Sequence, residues 1–135
     1  NPHIYKNNGF SNYQINQYKD GAGLYGKAIQ GLKTQKSRKN SKAYKTDLAE
    51  SYYGRARCYG ALKKWKDAAG DLKRARNLEP NNADYRYFRA QYLFITKKRS
   101  YIKRGCEELN YIINNNIGGK RLAEVQDLAK KYDCN

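Results

Sequence analysis

Apolar residues recur at helical spacing in the middle of the chain. Two sets lie 16 positions apart, with Tyr52, Ala56 and Tyr59 in the first and Ala68, Leu72 and Ala75 in the second. Each set follows the i, i+4, i+7 rule and therefore forms one stripe along a helix. Pro80 ends the second helix, because proline lacks the amide donor that a helix needs. The pattern predicts two antiparallel helices within residues 49–82.

The same stretch carries a longer skeleton, whose members are Tyr52, Arg55, Ala56, Tyr59, Trp65, Ala68, Leu72, Ala75 and Pro80. Its spacings resemble the tetratricopeptide-repeat (TPR) pattern of an aromatic, a Leu-Gly pair, a tyrosine, an alanine four before an aromatic, and a late proline. Arg55 and Ala56 stand for the Leu-Gly pair, and Leu72 stands for the second aromatic. These changes keep a small residue at the helix crossing. The resemblance implies that residues 49–82 form one TPR unit.

Residues 83–116 form a second copy at a spacing of 34. Ala83 follows Ala49, Tyr87 follows Tyr53, Arg89-Ala90 follows Arg55-Ala56, and Lys97-Lys98 follows Lys63-Lys64. The resemblance to the TPR pattern is weaker in this copy. Arg86 stands in place of the first aromatic, Arg99 in place of Trp65, Ile102 in place of Ala68 and Asn114 in place of the proline. Because length, period and polarity agree, the prediction is a second helical pair.

An earlier, degenerate repeat is predicted over residues 1–35. The segment from Tyr18 to about Thr34 begins like the helix at Trp65 and is predicted to be the second helix of that repeat, while residues 1–17 would supply its first. Residues 36–48 are a basic insertion without acids before Asp47, interpreted as an exposed connection that partly extends the next helix. A solvated loop is favoured over a recognition element. Thr46-Asp47 is a suitable helix start.

The last segment, 117–135, predicts an amphipathic capping helix after Gly118-Gly119, with Leu122, Val125, Leu128, Ala129 and Tyr132 on one face. Solenoids require such a terminal element. The resemblance thus implies an all-α, TPR-like solenoid of about two to three repeats in a single domain, 1–135. If the last helix packs antiparallel on its predecessor, Cys134 lies beyond the level of Cys106, and a disulfide between them is not expected.

The formal charge of +16 is spread along most of the 135 residues. The positive electrostatic potential of such a charge favours anionic partners. The same charge could also do no more than keep the protein soluble. No run approaches the ~18 apolar residues of a membrane span. Three cysteines leave at least one thiol unpaired, which favours a reducing compartment. The missing initiator Met and the Asn-, Tyr- and Lys-rich composition favour export, and an exported protein is slightly preferred.

No catalytic residues are predicted. His3 is the only histidine, and the sequence contains neither a nucleophile with a partnering base nor a glycine-rich phosphate loop. Glu107-Glu108 is interpreted as a solvent-facing pair on a basic helix. No metal site and no cofactor is expected, since no CxxC or Cys/His spacing occurs. The sequence therefore predicts a protein that is not an enzyme.

Two surfaces are candidates for binding. In TPR proteins the first helices of the repeats line a groove that holds a peptide or helix of a partner. By that resemblance the groove residues are Glu50, Tyr53, Gly54, Arg57, Gly60, Ala61, Asp84, Tyr87, Phe88, Gln91, Phe94 and Ile95. Aromatics beside an arginine suit a protein partner with apolar anchors and a carboxylate. The alternative is that the aromatics only pack between repeats.

The second surface is a basic ridge at the turns between paired helices. Its members are Lys63, Lys64, Lys66, Lys97, Lys98, Arg99, Lys103 and Arg104. Stacked repeats place equivalent turns along one edge, so the ridge could follow a phosphate backbone while Tyr101 stacks on bases. Solubility would also place lysines at turns. Of the two functions, a protein-binding adaptor is preferred over a nucleic-acid-binding module, and the oligomeric state stays open.

Overall fold

The computed structural model describes residues 2, 3, 5, 6, 9 and 17–135. Over these residues the chain is helical and contains no strand, so the all-α prediction is confirmed. The α-helices are α1 (Tyr18–Lys33), α2 (Lys42–Ala61), α3 (Trp65–Leu78), α4 (Ala83–Ile95), α5 (Arg99–Asn114) and α6 (Leu122–Lys131). Two short 3-10 turns are Lys36–Arg38 and Gly119–Arg121. From α1 to α6, each of these helices packs against the next one along the chain.

Helix boundaries recur at the predicted spacing of 34. Helices α2 and α4 end at Ala61 and Ile95, and α3 and α5 begin at Trp65 and Arg99. The turns between them share a backbone conformation, because Lys63 and Lys97 both have positive φ, 61° and 59°. The left-handed region is the usual way to end a helix, although glycine is the commoner residue there. The two helix pairs therefore have turns of equal length and equal conformation.

The N-terminal part agrees with the sequence prediction except at one helix start. Helix α1 has the predicted bounds to within a residue. Helix α2 begins at Lys42, not at Thr46-Asp47, because the Ser41 hydroxyl accepts a hydrogen bond from the Tyr44 amide (3.1 Å) and caps the helix there. Part of the predicted insertion is thus the first turn of α2. The helix predicted over residues 1–17 lies mostly outside the described residues, and those described within it before residue 17 are helical.

The core has two main clusters that meet at α4. Apolar residues of α1, α2, α3 and α4 form the first, including the predicted Tyr52, Ala56, Ala68, Leu72 and Ala75. The second joins α4 and α5 to α6, which buries Val125 and Ala129 as expected of a capping helix. Leu122 is an exception to the predicted apolar face, since it is 38% exposed. The capping helix therefore covers the open side of the last helix pair with most of its predicted face.

A buried carboxylate joins the two helices of the first pair. Asp71 on α3 accepts hydrogen bonds from Nε and Nη2 of Arg55 on α2, at 2.7 and 2.9 Å, and its side chain is 2% exposed. This bidentate geometry is the strongest form of arginine–carboxylate pairing. The hydrogen bond to Asp71 raises the pKa of Arg55 despite its burial. Arg55, which replaces a leucine of the TPR pattern, thus holds α2 against α3.

A second buried carboxylate has the same role in the next pair. Glu108 on α5 accepts from Arg86 (2.7 Å) and Arg89 (3.0 Å) on α4, and from Arg76 (2.9 Å) on α3. Burial lowers the pKa of Arg89, and its Nε has no acceptor among the described residues. The guanidinium of Arg86 also lies 3.4 Å from the centre of the Tyr111 ring. One carboxylate therefore binds three arginines from two helices.

The interpretation of Glu107-Glu108 as a solvent-facing pair is wrong for Glu108. Glu107 is exposed, but the Glu108 side chain is 2% exposed. Neighbouring helical residues point about 100° apart, so only one of the two can face solvent while the other faces α4.

The expectation that Cys106 and Cys134 do not pair is also wrong. They form a disulfide, with their Cα atoms 5.2 Å apart. Helix α6 ends at Lys131 and the chain then turns back, since Asp133 has a φ of 55° and the Cys134 amide donates to the Ala129 carbonyl (2.8 Å). Cys134 therefore lies beside α5 and not beyond it. Cys58 is the unpaired thiol and is fully buried.

Replacing Glu108 should strongly destabilise the fold. Glu108→Gln keeps the side-chain shape but leaves three arginines without a counter-charge, and losing one partner of a buried ion pair costs about 3–5 kcal/mol. Urea unfolding monitored by circular dichroism measures the change in the free energy of unfolding. The matched control is Glu107→Gln, whose exposed side chain should change that free energy by no more than about 0.5 kcal/mol. Equal effects of the two changes would contradict the role assigned to Glu108.

Reduction of the disulfide should loosen the capping helix. The bridge closes a loop with a sequence separation of 28, for which the chain-entropy relation gives about 3–4 kcal/mol of stabilisation. Urea unfolding with and without a phosphine reductant should show a decrease in stability of that size. The double variant Cys106→Ala/Cys134→Ala serves as the control, and its stability should not respond to the reductant. A response in that variant would mean that the reductant acts elsewhere.

Candidate functional site

The predicted groove residues divide into three groups by exposure. Glu50, Ala61, Asp84 and Ile95 are exposed; Tyr53, Arg57, Phe88 and Gln91 are half-buried; Gly54, Gly60, Tyr87 and Phe94 are buried. The buried members pack between helices. Gly54 faces the Tyr25 ring and Gly60 faces the Tyr92 ring, so closely that a Cβ at either position would collide. Phe94 stacks on Tyr132 at 4.0 Å. The packing alternative therefore describes Gly54, Gly60 and Phe94. Tyr87 also packs in the core but contacts Phe88, so it remains a candidate for contact together with the other eight residues.

Four predicted groove residues and Arg121 form a connected set that we call the arginine–aromatic surface: Tyr53, Arg57, Tyr87, Phe88 and Arg121. The ring centres of Tyr53 and Phe88 are 5.9 Å apart, and those of Tyr87 and Phe88 are 5.5 Å apart. The Arg57 guanidinium lies 4.3 Å from the Phe88 centre and donates a hydrogen bond to the Tyr53 hydroxyl (2.9 Å). Side chains from α2 and α4 thus contact each other. These are the first helices of the two predicted repeats, which were expected to line the groove together.

Arg121 was not among the residues predicted from the sequence. It lies in the 3-10 turn before α6, with its guanidinium 4.9 Å from the Tyr87 centre and 5.0 Å from the Phe88 centre. Burial alone would lower its pKa, but hydrogen bonds and charge interactions with Asp84 (2.6 Å) and Glu124 (3.1 Å) raise it. No local pattern in the sequence marked this residue, because its position depends on how the capping helix docks.

The edges of this surface carry acids. Asp84 and Glu124 line an open pocket of about 290 Å³ together with Arg121, Lys120 and Gly118. Glu50, another predicted groove residue, accepts a hydrogen bond from Lys6 (3.0 Å), which also contacts Asp47 (3.5 Å). The acids near this surface are therefore paired with basic residues, Asp84 and Glu124 with Arg121 and Glu50 with Lys6.

The basic ridge is exposed at all eight predicted positions. The two turns that carry it come together around an open pocket of about 400 Å³, which we call the edge pocket. Its lining residues are Lys63, Lys64, Trp65, Lys66 and Asp67 from the first turn and the start of α3, and Thr96, Lys98 and Tyr101 from the second turn and the start of α5. The predicted alignment of equivalent turns therefore brings side chains from both turns into one pocket.

Two aromatic side chains form part of the edge pocket. Trp65 is half-buried and stacks on Tyr92, with ring centres 5.9 Å apart and planes inclined by 26°. Tyr101 is half-buried, and Lys98 Nζ and the Arg104 guanidinium lie 5.5 and 5.6 Å from its ring centre. The sequence pattern indicated Trp65 only as a packing residue, so its place in this pocket was missed.

Other kinds of site find no support in the described part of the chain. No group of three or more His, Cys, Asp or Glu residues that could hold a metal ion occurs there. Burial raises the pKa of the Cys58 thiol to about 11, which keeps it protonated and unreactive at neutral pH. Among the helices described, none is long and apolar enough to cross a membrane.

Comparison with known proteins adds no family assignment. No protein-family model matches this sequence, and no curated protein matches it. The likeness to TPR proteins therefore depends on the residue spacings and on the boundaries that recur 34 positions apart.

Proposed function

We propose that this chain is a TPR-like helical-repeat module that acts as a non-enzymatic adaptor. Its partner is a protein segment bound on the arginine–aromatic surface. The recurrence of the helix ends at Ala61 and Ile95, with equal conformations at Lys63 and Lys97, supports the repeat. In such repeats, first helices present their outer residues to a partner, and here those helices are α2 and α4.

The observation that carries the proposal is the contact between Arg57 and Phe88. Both side chains are half-buried, they come from different helix pairs, and the guanidinium lies 4.3 Å from the ring centre. Arginine, tyrosine and tryptophan are enriched among the residues that supply most binding energy at protein interfaces, and Arg57 contacts Tyr53 as well as Phe88. A ring that fixes the guanidinium also reduces the entropy cost when a partner's carboxylate is bound by parallel hydrogen bonds.

The exposed members of the predicted groove indicate what the partner brings besides a carboxylate. Ile95 is 44% exposed and lies at the end of α4, and Ala61 is exposed at the corresponding end of α2. These two side chains offer an apolar contact at one end of the surface. Asp84 and Glu124 at another edge are already paired with Arg121, so they add no preference for a charge in the partner. We infer a short segment with an apolar anchor and a carboxylate for Arg57.

Selection of peptides from a random displayed library tests this function. Enriched peptides should combine a carboxylate with an apolar anchor, and labelled copies should bind with an affinity measurable by fluorescence anisotropy. Arg57→Gln should weaken that affinity by roughly 10-fold or more, since removing a central arginine of an interface commonly costs at least that. A failure of Arg57→Gln to weaken binding, or enrichment of peptides without acids, would contradict the proposal.

The matched control for this experiment is Lys73→Gln. It removes the same charge from an exposed position of α3 that is not among the predicted groove residues. Because only the overall field changes, peptide affinity should fall by no more than about 2-fold at near-physiological salt, where exposed charges are largely screened beyond about 8 Å.

A further inference from the structure

We propose that the edge pocket binds one nucleotide unit of a single-stranded nucleic acid, with the base against Trp65 and Tyr101 and the phosphates on the surrounding lysines. This site is separate from the arginine–aromatic surface and does not depend on the adaptor function. Its volume of about 400 Å³ falls in the range of about 300–1,000 Å³ typical of small-ligand sites.

The charge of the pocket favours an anionic ligand. Its lining has four lysines and a single acid, Asp67, which gives a formal charge of +3 over these residues. Four further basic residues of the ridge, Lys97, Arg99, Lys103 and Arg104, are exposed beside it. A ligand with charges repeated along its length would meet this row in succession, as a phosphate backbone does.

The aromatic side chains of the pocket favour a planar group as well. Tyr92 stacks on Trp65 and is itself packed against the Gly60 backbone, so the indole is held in place by the contact between two helix pairs. Lys98 and Arg104 are close to the Tyr101 ring, which places positive charge next to the second aromatic side chain. Every base has a flat face that stacks on such rings without sequence preference.

The positive charge and the aromatic side chains of the edge pocket together favour a single-stranded nucleic acid over other polyanions. In a duplex the faces of the bases are already stacked on one another and cannot contact Trp65. An acidic peptide supplies carboxylates but no planar group at regular spacing. Inorganic polyphosphate supplies the charge alone. A single strand presents a base and a phosphate in every unit, so it alone among these ligands uses both the lysines and the aromatic rings.

The chain contains a single tryptophan, so its fluorescence reports on the edge pocket directly. A short oligothymidylate is titrated into the full chain at near-physiological salt, and Trp65 emission is recorded. We expect quenching that saturates, whereas the matching duplex, inorganic triphosphate and polyglutamate should each give much weaker quenching at equal charge. Saturation by triphosphate or by polyglutamate at the same concentration would overturn the proposal, in favour of a plain anion site or an acidic protein partner.

Variants separate a specific pocket from the diffuse field of the protein. Lys66→Gln/Lys98→Gln should weaken oligonucleotide binding by about 10-fold and reduce the slope of log K against log salt by about 0.7 for each phosphate that the variant no longer neutralises. Tyr101→Leu should weaken binding about 5-fold or more while keeping an apolar side chain. The control Lys73→Gln/Lys130→Gln removes the same charge from exposed positions outside the pocket.

Equal weakening by the pocket and control variants would overturn the proposal, because it would show that only net charge matters. The lysines are exposed, so their replacement should leave the thermal unfolding midpoint unchanged, and this keeps the test independent of folding. Arg57→Gln should retain the quenching by oligothymidylate. Loss of peptide binding and loss of oligonucleotide binding are therefore distinguishable, and either site can fail without the other.

Discussion

The structure depends on buried ion pairs that join the two helices of each pair. Arg55 reaches Asp71 in the first pair and Arg89 reaches Glu108 in the second, so equivalent arginines, 34 positions apart, have equivalent roles. A buried pair adds little net stability, but a charge left without its partner is costly, so the arrangement penalises other alignments of one helix on the next. Arg76 extends this network from α3 to α5 and thereby fixes one pair against the other. The positions of both candidate surfaces follow from that alignment.

Much of the helical architecture could be predicted because it depends on local sequence. Apolar spacing marked the helices, and Pro80 marked the end of α3 to within two residues. The start of α2 was wrong because two capping signals were present, Ser41 and Thr46-Asp47, and a local pattern does not rank them. Packing decides between them: Tyr44 is 6% exposed in the core, so the longer helix buries an additional aromatic ring.

Features that depend on tertiary contacts could not be predicted from the sequence pattern. The sequence did indicate a buried acid in the second pair, because Arg89 lies 34 positions after Arg55 and an arginine between two helices needs an acidic partner. It did not indicate whether that partner is Glu107 or Glu108. The disulfide was missed because its geometry depends on the reversal of the chain at Asp133. Arg121 was missed for a similar reason, as its contact with Phe88 requires the capping helix to be docked. In each case, the residue that a side chain contacts is determined by tertiary packing and not by a local sequence pattern.

The two candidate surfaces share a structural support. Gly60 belongs to the predicted groove, but the Tyr92 ring packs directly against it. The same ring stacks on Trp65 in the edge pocket. The contact between α2 and α4 therefore builds both surfaces, and each is complete only when the two helix pairs are stacked. Arg76 of the first pair also binds Glu108 of the second, so the same alignment of the pairs supports both surfaces.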